Sequence, residues 1–272
     1  MAARDLLELD EATARLRPSR ARYVGVRPVK LSEIVGTDSR ARDFDRAFNA
    51  RRPELRRRRE QVERAFPSGA FPPIVVSKLG DAYFVVDGHH RVAAARRRGA
   101  ESIDAEVTEL TARWHLGPDA DATELVHAEQ ERIFMTESGL AVARPDLRLR
   151  LSRAVGYRQL LESVQLHGYR LVADAPRALD RAEVASDWHA RIYRPTVDAI
   201  HTERLDEVCP EVTDPDRFLW VVERRRELET LRGRTSLEDA VRRATQELAR
   251  ERRGVRRLLR LRRGRAAQRT LG

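Results

Sequence analysis

Apolar and polar positions change rhythm twice along the chain. Residues 5–16 read as a short acidic helix, and "RYVGVRPVKL" predicts a strand around Val24 to Val29 that ends near "LSEIVGT". A polar stretch, "DSRARDFDRAFNARRP", follows. In "PELRRRREQVERAF", Leu55, Val62 and Phe66 recur at near-helical spacing and Pro53 suits a first helical turn. Pro67, Pro72 and Pro73 close that helix. "IVVSKLGDAYFVVDG" then sets two β-branched and aromatic runs on either side of Leu79-Gly80-Asp81, the pattern of a tight hairpin. From His89 to Arg98 the residues are helix formers, with Gly99 where a helix C-terminus often places glycine. In "SIDAEVTEL", Ile103, Ala105 and Val107 alternate with Asp104 and Glu106, which predicts a half-buried strand. The result is an α+β unit with a small mixed sheet, ending near residue 115.

Past Gly117-Pro118 the period becomes helical. "ATELVHAEQERIF", "YRQLLESVQLHGY", "RAEVASDWHARIYRPTVDAIH", "PDRFLWVVERRRELETL" and "SLEDAVRRATQELARE" all carry apolar residues three and four apart. Trp188, Tyr193, Phe218, Leu219 and Trp220 are spaced to form the core between such helices. The expected organisation is an N-terminal helix (1–22), the α+β domain (23–115), an all-helical domain (119–248) and an arginine-rich tail (249–272). No internal repeat is present.

Charge refines this organisation. The formal net charge is +10, and residues 231–272 alone hold 14 arginines against 4 acids, so the chain before them is neutral overall. A basic tail of this kind is expected to meet nucleic acid, if anything. Lys30 and Lys78 are the only lysines. One cysteine, Cys209, excludes a disulfide framework within the chain and any thiol-rich metal site. No apolar run approaches the length of a membrane span, and "MAARDLLELDEATARL" carries acids where a secretory signal would be apolar. The expectation is a cytoplasmic protein. His167, His189 and His201 show no metal-ligand spacing, and no Walker loop, Rossmann fingerprint or Gly-x-Ser-x-Gly is present.

The chemistry concentrates in "VVDGHHR". A strand, then Asp87-Gly88, then a helix leaves backbone N–H groups of the first turn without intrahelical partners, in a region that favours anions. Gly88 removes the side chain that would hold a ligand off the backbone, and Arg91 offers a bidentate fork for phosphate or carboxylate. His89 and His90 add donors. Asp87 suits Mg²⁺ or the proton of a hydroxyl. The same residues equally suit a plain helix start, with Asp87 as cap, Gly88 serving the turn and the histidines on the surface.

The wider segment "FPPIVVSKLGDAYFVVDGHHRVAAARRRGAESIDAEV" resembles the ParB/sulfiredoxin fold, and "RPVKLSEIVGTDSRARDFD" is similar to that family's opening segment. The resemblance spans about residues 23–110. Gly88 and Arg91 match the ends of the Gly-Glu-Arg-Arg box with which partition proteins of the ParB type contact a triphosphate, with His89 and His90 between them. His89 stands where sulfiredoxins carry their catalytic cysteine, which excludes sulfiredoxin chemistry. Asp87 to Arg91 reproduce the Asp-Gly-His-His-Arg segment of the free-serine kinases of this fold.

That resemblance implies a nucleotide ligand (ATP, ADP or CTP) with Mg²⁺. It implies a phosphate-binding set of Gly88, His89, His90, Arg91 and Arg42, and a catalytic set of Asp87, His89 and His90. Asp87 also becomes the expected metal ligand. An upstream acid completes the set, assigned to Glu33 with Asp38 as the substitute. The implied activity is phosphotransfer or nucleotide hydrolysis in a bacterial protein. The competing expectation is a non-enzymatic, nucleotide-gated regulator that meets DNA or RNA through its tail, with a homodimer as the expected assembly.

Overall fold

In a computed structural model describing residues 5–66, 71–173 and 177–250, the alternating segments form one sheet. The elements in chain order are β1 (Leu7–Glu8), α1 (Leu9–Leu16), β2 (Arg20–Lys30), a 3-10 turn (Leu31–Glu33), β3 (Ile34–Thr37), α2 (Pro53–Ala65), β4 (Ile74–Leu79), β5 (Ala82–Asp87), α3 (His89–Arg97) and β6 (Ser102–Thr111). The sheet order is β1-β3-β5-β4-β6-β2. β4 and β5 pair antiparallel around Gly80-Asp81, with Leu79 opposite Ala82. β3 lies parallel to β5, and Thr37, its last residue, meets Val85, two residues before β5 ends.

The mixed sheet expected from the sequence is present, and two further strands join it. β2 is longer than the apolar run Val24 to Val29 suggested, because its polar ends still pair along β6 from Arg20–Thr111 to Lys30–Ser102. The chain after "LSEI" turns back into the sheet as β3 instead of continuing as loop. All four β3 residues are buried, since both sheet faces are covered there.

One face packs Val29, Val76, Val85, Ile103, Ala105 and Val107 under α3 and under Phe44 and Phe48 of the loop after β3. The opposite face, with Val35, Leu79 and Phe84, is covered by Leu9, Ala12 and Leu16 of α1, spaced three and four apart. Leu125 and Ala128 join this second cluster. They belong to α4 (Ala122–Glu137), so the first compact unit runs to Arg132, beyond Gly117-Pro118.

The second unit, Ile133 onward, is helical in its described part: α5 (Leu140–Ala143), α6 (Gly156–Ala173), α7 (Arg181–Trp188), α8 (Arg194–Thr202), α9 (Leu205–Val208), α10 (Asp214–Arg232) and α11 over 237–250. A capping box at Asp180 and Glu183 starts α7. Between α7 and α8 the residues His189–Tyr193 form a π turn. Pro195, two residues past the turn, has no N–H to give the preceding turn, which accounts for the irregularity at that place. The expected aromatic core is observed in Trp188, Tyr193 and Phe218, with ring centroids 5.1–5.7 Å apart. Leu219 and Trp220 are only partly buried. The arginine-rich tail, 249–272, lies almost wholly outside the described residues. No described helix is long and apolar enough to cross a membrane.

Candidate functional site

The motif sits at the end of β5 and the start of α3, as its sequence predicts. Gly88 is the helix N-cap with φ +99°, a region that glycine alone enters freely. A Cβ there would stand 2.5 Å from Ile74 Cγ2, so the turn is also closed by packing.

The two histidines face inward. His89 is 5 % exposed and His90 8 %. His89 stacks on Phe44 at 5.5 Å between centroids, and His90 meets the same ring edge-on. This corrects the picture of histidines lining an open cradle: the loop after β3 folds Phe44 and Phe48 over them. Thr37 holds His89 from the other side, its Oγ1 2.6 Å from His89 Nε2 and 3.1 Å from the Val85 carbonyl. Thr37 has one proton. Given to Val85, it leaves the short contact to be made by His89 donating through Nε2. Burial lowers the His89 pKa to about 4, helped by Arg40, and Asp87 opposes the shift. His89 is therefore neutral near pH 7, and so serves as a neutral donor rather than a charged phosphate ligand.

Arg91 is already occupied. Its Nη1 donates to the carbonyls of Pro72 (2.9 Å) and Pro73 (2.5 Å), and its Nη2 to Asp87 (2.6 Å). The Asp87 side chain is 71 % exposed and faces solvent on its remaining side. Among the described residues no group of three or more His, Cys, Asp or Glu could hold a metal ion. Mg²⁺ would fit at Asp87 only with phosphate oxygens completing its shell.

The upstream residues divide differently from the sequence assignment. Glu33 pairs with Lys30 at 3.4 Å in the 3-10 turn before β3. Thr37 ends that strand, about 13 Å away at ~3.3 Å per residue, so Glu33 is at the wrong end of β3 to act at the motif. Asp38 follows Thr37 directly, bonded through its N–H to Val85, and burial raises its carboxyl pKa. Arg42 is exposed in the loop turn. Arg40 instead lies over the Phe44 ring at 5.7 Å and pairs with Asp43 at 3.1 Å. Thr37, Asp38 and Arg40 are thus the site residues that sequence reasoning missed or placed second. Their one signal is the position of Thr37-Asp38 after an apolar run.

The covering loop is tied down by guanidinium groups. Arg96 of α3 donates to the carbonyls of Arg46 (2.5 Å), Leu31 (2.7 Å) and Ile34 (3.1 Å), and lies 5.0 Å over the Phe48 ring. Arg46 in turn reaches Val35 O, and Arg51 reaches Phe44 O. A lysine ammonium has three donors but on a single nitrogen, so it cannot span the carbonyls that Arg96 reaches with Nη1 and Nη2. Arg96→Lys and Arg96→Ala are both expected to destabilise the protein, the alanine variant by about 2 kcal/mol, read as a lower urea midpoint. A midpoint within error of wild type would show that the loop is held elsewhere.

Residues 19–117 match the family model of the ParB N-terminal domain, and this part of the chain is a ParB-like domain. Two solved structures are also similar at low identity. One crystal form of a Pnob8-like ParB-N domain is 12 % identical, with 78 % of this chain and 84 % of that chain covered and a TM-score of 0.24. A pNOB8-like ParB N-domain is 11 % identical, with 78 % and 79 % covered and the same TM-score. No curated protein matches the chain.

Proposed function

We propose that the first unit binds a nucleotide, with its phosphates at the N-terminus of α3 and the Asp38–Arg52 loop as cover. The observation that carries this reading is the glycine-led helix start, where Thr37, neutral His89 and Arg40 converge. Backbone N–H groups there favour an anion. Arg40, half-exposed, paired with Asp43 and lying over Phe44, is the guanidinium that this reading assigns to phosphate. Asp87 is the motif carboxylate in contact with solvent, suited to Mg²⁺ brought by the nucleotide or to the proton of an acceptor hydroxyl. Phosphotransfer or nucleotide hydrolysis is the reaction this reading assigns to the site, with Asp87 released from Arg91.

The Asp87–Arg91 pair itself favours a second reading, in which the nucleotide is held but not turned over and the protein acts as a nucleotide-gated regulator. DNA or RNA contact through residues 249–272 belongs to that second reading.

Thermal unfolding with ATP, ADP, CTP or GTP and Mg²⁺ tests the proposal. One nucleotide at 100 times its Kd is expected to stabilise the wild type by about 2.7 kcal/mol. Arg40→Ala should lose most of the nucleotide effect, with only a small loss of stability without ligand, because a partly exposed pair and one ring contact each contribute about 1 kcal/mol or less. If no nucleotide stabilises the wild type, the motif is a buried helix start and nothing more. Product formation separates the two readings.

A further inference from the structure

The second unit contains a groove of about 410 Å³ that the ParB-like domain does not account for. Leu166 and His167 of α6, four and three residues before Arg170, line one side together with it. Val221, Val222, Arg225 and Arg226 of α10 line the other. Ile192 contributes to the floor from the π turn, an irregularity of a kind that often re-aims a side chain at a functional site. A smaller depression of about 160 Å³ continues past Leu166, Val222 and Arg226 to Leu219.

The polar groups of the groove are unevenly distributed. His167 is bonded to Asp187 at 2.8 Å, and the second Asp187 oxygen meets Arg191 at 3.0 Å. Arg225 is balanced by Glu229 at 3.0 Å. Arg170 and Arg226 have no ion pair among the described residues. Leu166, Val221, Val222 and Leu237 thus supply an apolar lining, Asp187 and Glu229 are engaged, and the exposed Arg170 and Arg226 have no ion pair among the described residues, while Glu162, paired with Arg158, and Glu223 border the smaller depression.

We propose that this groove binds a small amphipathic carboxylate. Its apolar chain would lie along Leu166 and Val222 towards Leu219, and its head group between Arg170 and Arg226. The volume falls in the range of small-molecule sites, which are mostly apolar with a few polar groups that fix orientation. Arginine suits the head because it meets both carboxylate oxygens at once.

Calorimetric titration of the full chain with decanoate and with decanol tests this assignment. Decanoate is expected to bind, and decanol to bind at least about tenfold more weakly. Arg170→Gln/Arg226→Gln should weaken decanoate about tenfold and leave decanol unchanged. Both arginines are exposed, so the variant should keep its unfolding temperature. Leu166→Glu, at a side chain 40 % exposed, should abolish decanoate binding. Equal affinity for decanol and decanoate, or an unchanged affinity in the double arginine variant, would overturn the proposal, as would the absence of decanoate binding. Nucleotide binding at α3 is read separately, so its failure leaves this result intact.

Discussion

Acidification from pH 6.5 towards 4 is expected to cost the protein roughly 3 kcal/mol through His89 alone. The His89 pKa falls from 6.5 to about 4 on folding, because its ring is buried between Thr37 and Phe44 with Arg40 nearby. Between those two values the unfolded chain binds the proton and the folded chain does not. Stability therefore falls as the pH falls through this window and is fully present above it. His89→Gln keeps a donor for Thr37 and cannot titrate there. Urea unfolding at several pH values should give a wild-type curve that falls about 3 kcal/mol further than that of the variant across the window. Carboxylates titrate in both proteins and cancel in the difference. Parallel curves would place His89 in a wetter and more charged setting than the one described.

Gly88→Ala is expected to destabilise by about 3 kcal/mol, the sum of positive-φ strain and overpacking against Ile74. Gly99→Ala separates the two causes. Gly99 also has a positive φ, of +71°, but nothing lies within 4 Å of an added Cβ. It should cost only the strain, about 1–2 kcal/mol. Urea midpoints at unchanged slope read both variants. Equal losses at the two glycines would mean that Ile74 yields to the new methyl group, and that the turn owes its tightness to backbone conformation alone.

The hairpin, α3 and β6 were legible because period, turn residues and helix formers agree over several residues each. β1 and β3 were not. A two-residue strand has no period, and β3 is buried on both faces, so its "IVGT" shows no alternation. The motif was legible as a helix start, but its exposure was not. Nothing in "DGHHR" signals that Phe44 and Phe48, some forty residues earlier, return to cover it. Glu33 illustrates the same limit: its place in the sequence is close to that of Asp38, yet the two lie at opposite ends of β3.

The arginines of the first unit have a consequence for how the protein meets polyanions. Arg46, Arg51, Arg91, Arg96, Arg98 and Arg132 donate to main-chain carbonyls. They act as cross-braces between loops and strands. Their charge remains in the formal +10, but donors on each are engaged by carbonyls, so the donors available to a phosphate backbone are fewer than composition indicates. Exchanging arginine for lysine throughout would preserve the titration curve near neutrality and remove the bracing, which separates the electrostatic from the architectural use of one residue type.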